Sequence, residues 1–116
     1  MGLFARRRQS LALTPEAVAS VLLDAGFIPA EFSEPRFGEY ARPVTEGFHA
    51  YVVPVTHEGR VGVSWHADIY ANEDPREVAE GFLVAMGALL EQVGYQSEIV
   101  AETIADYLVV WVEGDF

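Results

Sequence analysis

A chain of 116 residues, half of them apolar and none a cysteine, has room for one hydrophobic core. It excludes disulfides, thiolate nucleophiles, cysteine-ligated zinc and iron–sulfur clusters. Its 18 Asp and Glu face seven basic residues, all arginine, and a net charge of −11 repels nucleic-acid phosphates and anionic membranes.

The expected partner is therefore a protein, with a basic segment the best electrostatic match, and no nucleic acid is expected on the folded body. The same acidity also serves plain solubility. Arg6, Arg7 and Arg8 fall in residues 1–10, read as a flexible basic arm ahead of a single α+β domain over residues 11–116. The arm resembles the positive start of an export signal, and Ala17-Val18-Ala19 supplies a cleavage-like triplet. The apolar stretch between them is only Leu11-Ala12-Leu13, against the roughly 7–15 residues an export signal needs. Position 6 is Arg rather than the Ser or Thr of a myristoylation signal. The longest apolar run, residues 82–90, is too short to span a bilayer. A cytoplasmic protein without cofactor or membrane span is expected.

In chain order, Thr14 and Pro15 supply an N-cap and a first-turn proline, and Val18, Val21, Leu22 and Ala25 make one apolar face of a first helix. Gly26 ends it, with Phe27 placed to fold back on Leu22. Pro29, Pro35 and Pro43 punctuate the next stretch, where Phe32, Phe37 and Tyr40 are apolar anchors. A short edge strand is expected over residues 36–42. A hairpin follows. Val61, Val63, Trp65, Ala67 and Ile69 alternate with Gly62, Ser64, His66, Asp68 and Tyr70, and a preceding strand runs over residues 48–56. Glu58-Gly59 is read as the tight turn and Pro54 as a bulge or an unpaired edge.

Asp74-Pro75-Arg76-Glu77 opens the second helix with an N-cap, a proline and an acidic residue placed for a capping box. Val78, Phe82, Met86, Leu89 and Val93 are its expected apolar stripe, Gly94 its end, and Tyr95 is expected to pack back on Leu90. Strands are expected over residues 97–101 and 107–112. The second, apolar on both faces, suits a central position. The order α-β-β-β-α-β-β gives a small antiparallel sheet of four to five strands with two helices on one face. That order, the small size and the acidity resemble the secretion-chaperone fold of type III secretion chaperones and YbjN-like proteins. The resemblance implies an acidic dimer that holds a partner chain by apolar grooves and strand addition. The closing helix of that fold has no counterpart before Phe116.

Two candidate sites emerge. Pairing the hairpin through Glu58-Gly59 sets His49 opposite Asp68 and Tyr51 opposite His66, on the face away from the Phe48, Ala50, Val52, Val63, Trp65 and Ala67 core set. His49, His66 and Asp68 would then supply a His–His–carboxylate metal site or a general base for a small hydrolytic domain. Ordinary polar pairing on a solvated face is the competing reading. In the second helix, residues 82–90 carry no charge, so surface apolar area is expected around Leu83, Val84, Gly87 and Leu90. Gly81, Ala85 and Ala88 add a strip of small side chains. This patch is the expected partner-binding surface, with a homodimer one outcome and cover by residues 27–40 the alternative. No phosphate-binding glycine loop, zinc-helix motif or nucleophile elbow occurs. The leading function is a non-enzymatic protein-binding module: a chaperone, adaptor or inhibitor-like protein.

Overall fold

The computed structural model describes residues 11–34, 42–53, 59–68, 70–102 and 105–113. The arm of residues 1–10 and the strand expected over 36–42, apart from Arg42, lie outside them, as do Pro54 and Glu58. Local chemistry sets both helix ends. Helix α1 (Pro15–Asp24) starts where Thr14 Oγ1 accepts the Ala17 N–H at 3.1 Å. It stops at Gly26, whose φ is +98°, as Gly26 N–H donates to Leu23 and Phe27 N–H to Leu22. These two bonds make the expected Schellman motif. Helix α2 (Pro75–Val93) repeats the device. Asp74 Oδ1 accepts the Glu77 N–H at 3.1 Å, and past Gly94 (φ +123°) Tyr95 N–H donates to Leu90.

Four strands, β1 (Gly47–Val52), β2 (Val61–His66), β3 (Gln96–Val100) and β4 (Tyr107–Trp111), form an antiparallel sheet in the order β1-β2-β4-β3. The fold is α+β with the order α-β-β-α-β-β among the described residues. β4 is central, as its two-sided apolar pattern implies. One face is apolar: Phe48, Ala50, Val61, Val63, Trp65, Leu108 and Val110 meet Val18 and Leu22 of α1 and Leu83, Met86 and Leu90 of α2. Full burial of each such α2 side chain stabilises by about 1.5–3 kcal/mol.

The structure departs from the sequence reading at the hairpin. The observed pairs are Phe48 with Trp65, His49 with Ser64 and Tyr51 with Gly62, four positions from the register set by a Glu58-Gly59 turn. Gly59 does take positive φ (+84°), but the ladder already closes where Val53 N–H donates to Arg60 at 3.2 Å. An even slip keeps every side chain on its face and changes every partner. β2 also stops at His66 rather than Tyr70. Asp68 Oδ1 accepts the N–H groups of Tyr70 and Ala71 at 2.9 and 3.3 Å, an Asx turn that competes with the ladder.

The segment after α1, not recognised in the sequence as pairing, covers part of the β1 edge. Phe48 N–H donates to Ile28 and Ala30 N–H to Phe48, while Ser33 N–H donates to Arg42 and Val44 N–H to Glu31. Gly47 permits this approach: a Cβ there would lie 2.6 Å from the Ile28 carbonyl oxygen and against the Pro29 and Ala30 backbone. At the other end of the molecule Tyr95 Oη donates to the Ala12 carbonyl at 2.6 Å, tying the start of the domain to the end of α2.

Candidate functional site

The expected helix patch is mostly interior. Leu83 and Leu90 are 0% exposed and Gly87 is buried, so three of the four proposed surface residues belong to the core; Val84, at 56%, is outside. Gly87 is buried because α2 sits close on the sheet there. A Cβ at Gly87 would come within 3.0 Å of Ser97 Oγ and 3.3 Å of Leu108. The inward stripe runs through Leu83, Met86 and Leu90, with Phe82 and Leu89 on its flanks and Val93 exposed. The outward positions Gly81, Val84, Ala85 and Ala88 are mostly small. An uncharged run therefore leaves little apolar surface to cover.

On the sheet face away from the helices, the new register brings His49 and His66 together, with ring centroids 6.4 Å apart. Phe32 packs on both, at 4.7 and 5.6 Å, and His49 stacks on Tyr51 at 5.5 Å. The Tyr51 ring occupies the space over Gly62, where a Cβ would fall 2.6 Å from it, and its hydroxyl is 3.1 Å from Ser64 Oγ. Arg60 lies 4.3 Å over the Trp111 ring. Beneath this paving Val109 is 1% exposed. Burial lowers the His49 pKa; burial, then the neighbouring His49, lowers that of His66. Burial pushes the Tyr51 phenol up, against the Ser64 hydrogen bond and with help from Tyr107 and Glu102.

Asp68 does not join the imidazoles. It faces no β1 partner, and its Oδ1 is held in the Asx turn. Among the described residues no group of three His, Asp or Glu side chains is placed to hold a metal ion. The two imidazoles remain a pair embedded among aromatic rings.

A third feature was not legible in the sequence. A cleft of about 790 Å3 opens between the 43–46 segment, the end of β2 and its following turn, the start of α2 and residues 105–106. Glu46, Asp68, Asp74 and Asp106 line it, together with Trp65, His66, Ala79 and Arg76. Arg76 is engaged: it bonds Asp106 at 2.7 Å and the Glu102 carbonyl at 3.0 Å. Each carboxylate commits one oxygen to the architecture. Glu46 Oε1 accepts from Asp68 N–H and Asn72 Nδ2, while Asp68 and Asp74 Oδ1 hold the turn and the helix cap. Trp65, 8% exposed and stacked on Phe82 at 3.7 Å, has a buried Nε1–H with no acceptor among the described residues. Such an orphaned donor costs about 1–3 kcal/mol. The cleft's parts are drawn from between Pro43 and Asp106, so no local pattern announces it. Its visible signals were the single residues Asp74, as an N-cap, and Asp68, in the strand alternation.

Comparison with protein-family models, curated proteins and solved structures gives no match to this chain. Among the described residues no helix is long and apolar enough to cross a membrane.

Proposed function

We propose that the chain is a non-enzymatic protein-binding module, of chaperone, adaptor or inhibitor type, whose acidic surface meets a basic partner. The observation that carries this reading is the charge balance in three dimensions. Arg76–Asp106 is the one ion pair among the described residues, and no other described carboxylate pairs with a described cation. Unneutralised charge of one sign steers an oppositely charged partner and raises its association rate, while apolar area supplies the hold. The lack of cysteine suits a reducing compartment, so a cytoplasmic setting goes with this reading. Of the patch on which the homodimer expectation rested, Leu83, Gly87 and Leu90 lie in the core and Val84 is exposed.

Affinity capture of the tagged chain from its own cells at low and high salt tests the proposal. A stoichiometric basic protein, retained at low salt and released at high salt, is the expected result. A partner that is acidic, or one indifferent to salt, would contradict it.

A further inference from the structure

We infer that the outer edge of β3, together with the flank of α2 that carries Val84, is the docking site for an extended basic segment of the partner, which joins the sheet as a further strand. The inference rests on the proposed function and gives the basic partner an address.

The two edges of the sheet are not alike. At β1 the N–H and carbonyl of Phe48 are already bonded to Ile28 and Ala30, so the chain's own segment after α1 takes part of that edge. At β3 the five residues Gln96 to Val100 pair with β4 in one unbroken antiparallel ladder, and no described residue pairs with their other side. Alternate residues of such a strand turn their N–H and carbonyl groups outward, where another strand would bond them. Lysine, proline and bulges, which commonly blunt an edge, are absent from Gln96–Val100.

Helix α2 adds a side wall. Phe82 stacks on Trp65 of β2, whereas Gly87 sits against Ser97 of β3, so the flank that continues past Gly87 away from Phe82 lies on the β3 side. At about 3.6 residues per turn that flank holds Glu80, Val84, Ala88 and Glu91. All four are exposed, Val84 at 56%.

Charge selects the occupant. Ser97 faces the helix, its Oγ donating to the Gly87 carbonyl at 3.5 Å, so Glu98 stands on the opposite face of the strand, where it is exposed. Glu80, Glu91 and Glu98 have no ion-pair partner among the described residues, while Arg76 is held by Asp106 and Arg60 lies over Trp111. A strand added at β3 meets Val84 and Ala88 with one set of alternate side chains and Glu98 with the other. The matching segment therefore alternates apolar residues with Arg or Lys. A second copy fits less well. In a sheet continued through two β3 strands each copy would bring its own Glu80, Glu91 and Glu98 to the seam, on a body of net charge −11.

Isothermal calorimetry of the full chain with a capped octapeptide of alternating valine and arginine is the experiment. Two further versions are N-methylated, one on every valine and one on every arginine. Successive residues of a strand point their N–H groups to opposite sides, so one version should lose at least tenfold in affinity and the other should keep it. Glu80→Gln/Glu91→Gln/Glu98→Gln is expected to weaken the parent peptide at least tenfold. Glu16→Gln/Glu31→Gln/Glu34→Gln removes the same charge around α1 and the segment after it, and keeps full affinity. Val84→Ser, at an exposed position the fold tolerates, weakens binding severalfold. Amide exchange slows over Gln96–Val100 when the peptide is bound and is unchanged over Gly47–Val52.

If the peptide binds but both methylated versions bind equally well and the β3-side variant matches its control, the edge assignment is wrong and the basic-partner reading stands. If the wild-type chain binds no such peptide yet captures a basic protein at low salt, the inference again fails alone. If it does neither, both fail. A dimer in sedimentation that Val84→Arg dissociates would give the edge to a second copy and overturn the inference.

Discussion

The two faces of the sheet are built from alternate residues of the same strands, yet they are closed in different ways. On the inner face, Val61, Val63, Leu108 and Val110 are sealed by Leu83, Met86 and Leu90 of α2, at the cost of ordering a 19-residue helix. On the outer face no described helix packs. There Val109 is 1% exposed amid long side chains of the sheet and of the segment after α1: Tyr51 lies over Gly62, His49 stacks on Tyr51, and Phe32 joins the two imidazoles. A face covered by aliphatic side chains from another element is insensitive to pH. A face covered by its own His and Tyr rings carries titratable groups in partly desolvated positions, and the cleft opens where the two faces meet, at Trp65 and His66.

The sharpest way to break this comparison is on the helix. Leu83→Ala empties a fully buried site and is expected to cost about 2–5 kcal/mol in urea unfolding. Val84→Ala, one residue on but exposed, stays within about 0.5 kcal/mol. Equal losses would restore an outward Leu83 and undo the assignment of the inner stripe. The outer face is tested next by Gly62→Ala. The new methyl group meets the Tyr51 ring, and displacing that ring is expected to cost about 1–3 kcal/mol. If thermal unfolding showed no loss, the ring-over-glycine packing would be wrong. Tyr51→Phe keeps the ring and loses only the hydroxyl bond to Ser64, for about 0.5–1.5 kcal/mol in the same measurement.

The smallest expected effect is on pH dependence. His49 and His66 have folded-state pKa values below the ordinary 6.5, so between those values and 6.5 the unfolded chain binds more protons. Stability therefore rises with pH through that window, levels off above it, and falls as the solution is acidified below about 6.5. Acidification also relieves repulsion among the carboxylates, so the informative quantity is a difference. Between pH 7.5 and pH 5 the wild type should lose more melting temperature than His49→Gln/His66→Gln. Parallel curves would show that the imidazoles are not desolvated on the outer face.

Where the chain's own chemistry is local, the sequence was sufficient. Thr14 and Asp74 cap the helices, Gly26 and Gly94 end them, Phe27 and Tyr95 close the C-terminal motifs, and the two-residue alternation separates Phe48, Val63 and Trp65 from His49, Tyr51 and His66, although Val52, expected in the core, is 65% exposed. These features depend on backbone groups within a few residues, and residue type alone selects them. Tertiary structure decided the rest. The hairpin register was set by where the ladder closes at Val53 and Arg60, and the period-two pattern is equally satisfied by every even slip. Whether an uncharged helix turn faces water or the sheet was decided by rotation about the helix axis, which the uniform apolarity of residues 82–90 leaves open; the close approach at Gly87 resolves it. The cleft depended on folding most of all. Glu46, Trp65, Asp74 and Asp106 come from separate elements, and only their packing turns an overall excess of negative charge into a place with a shape.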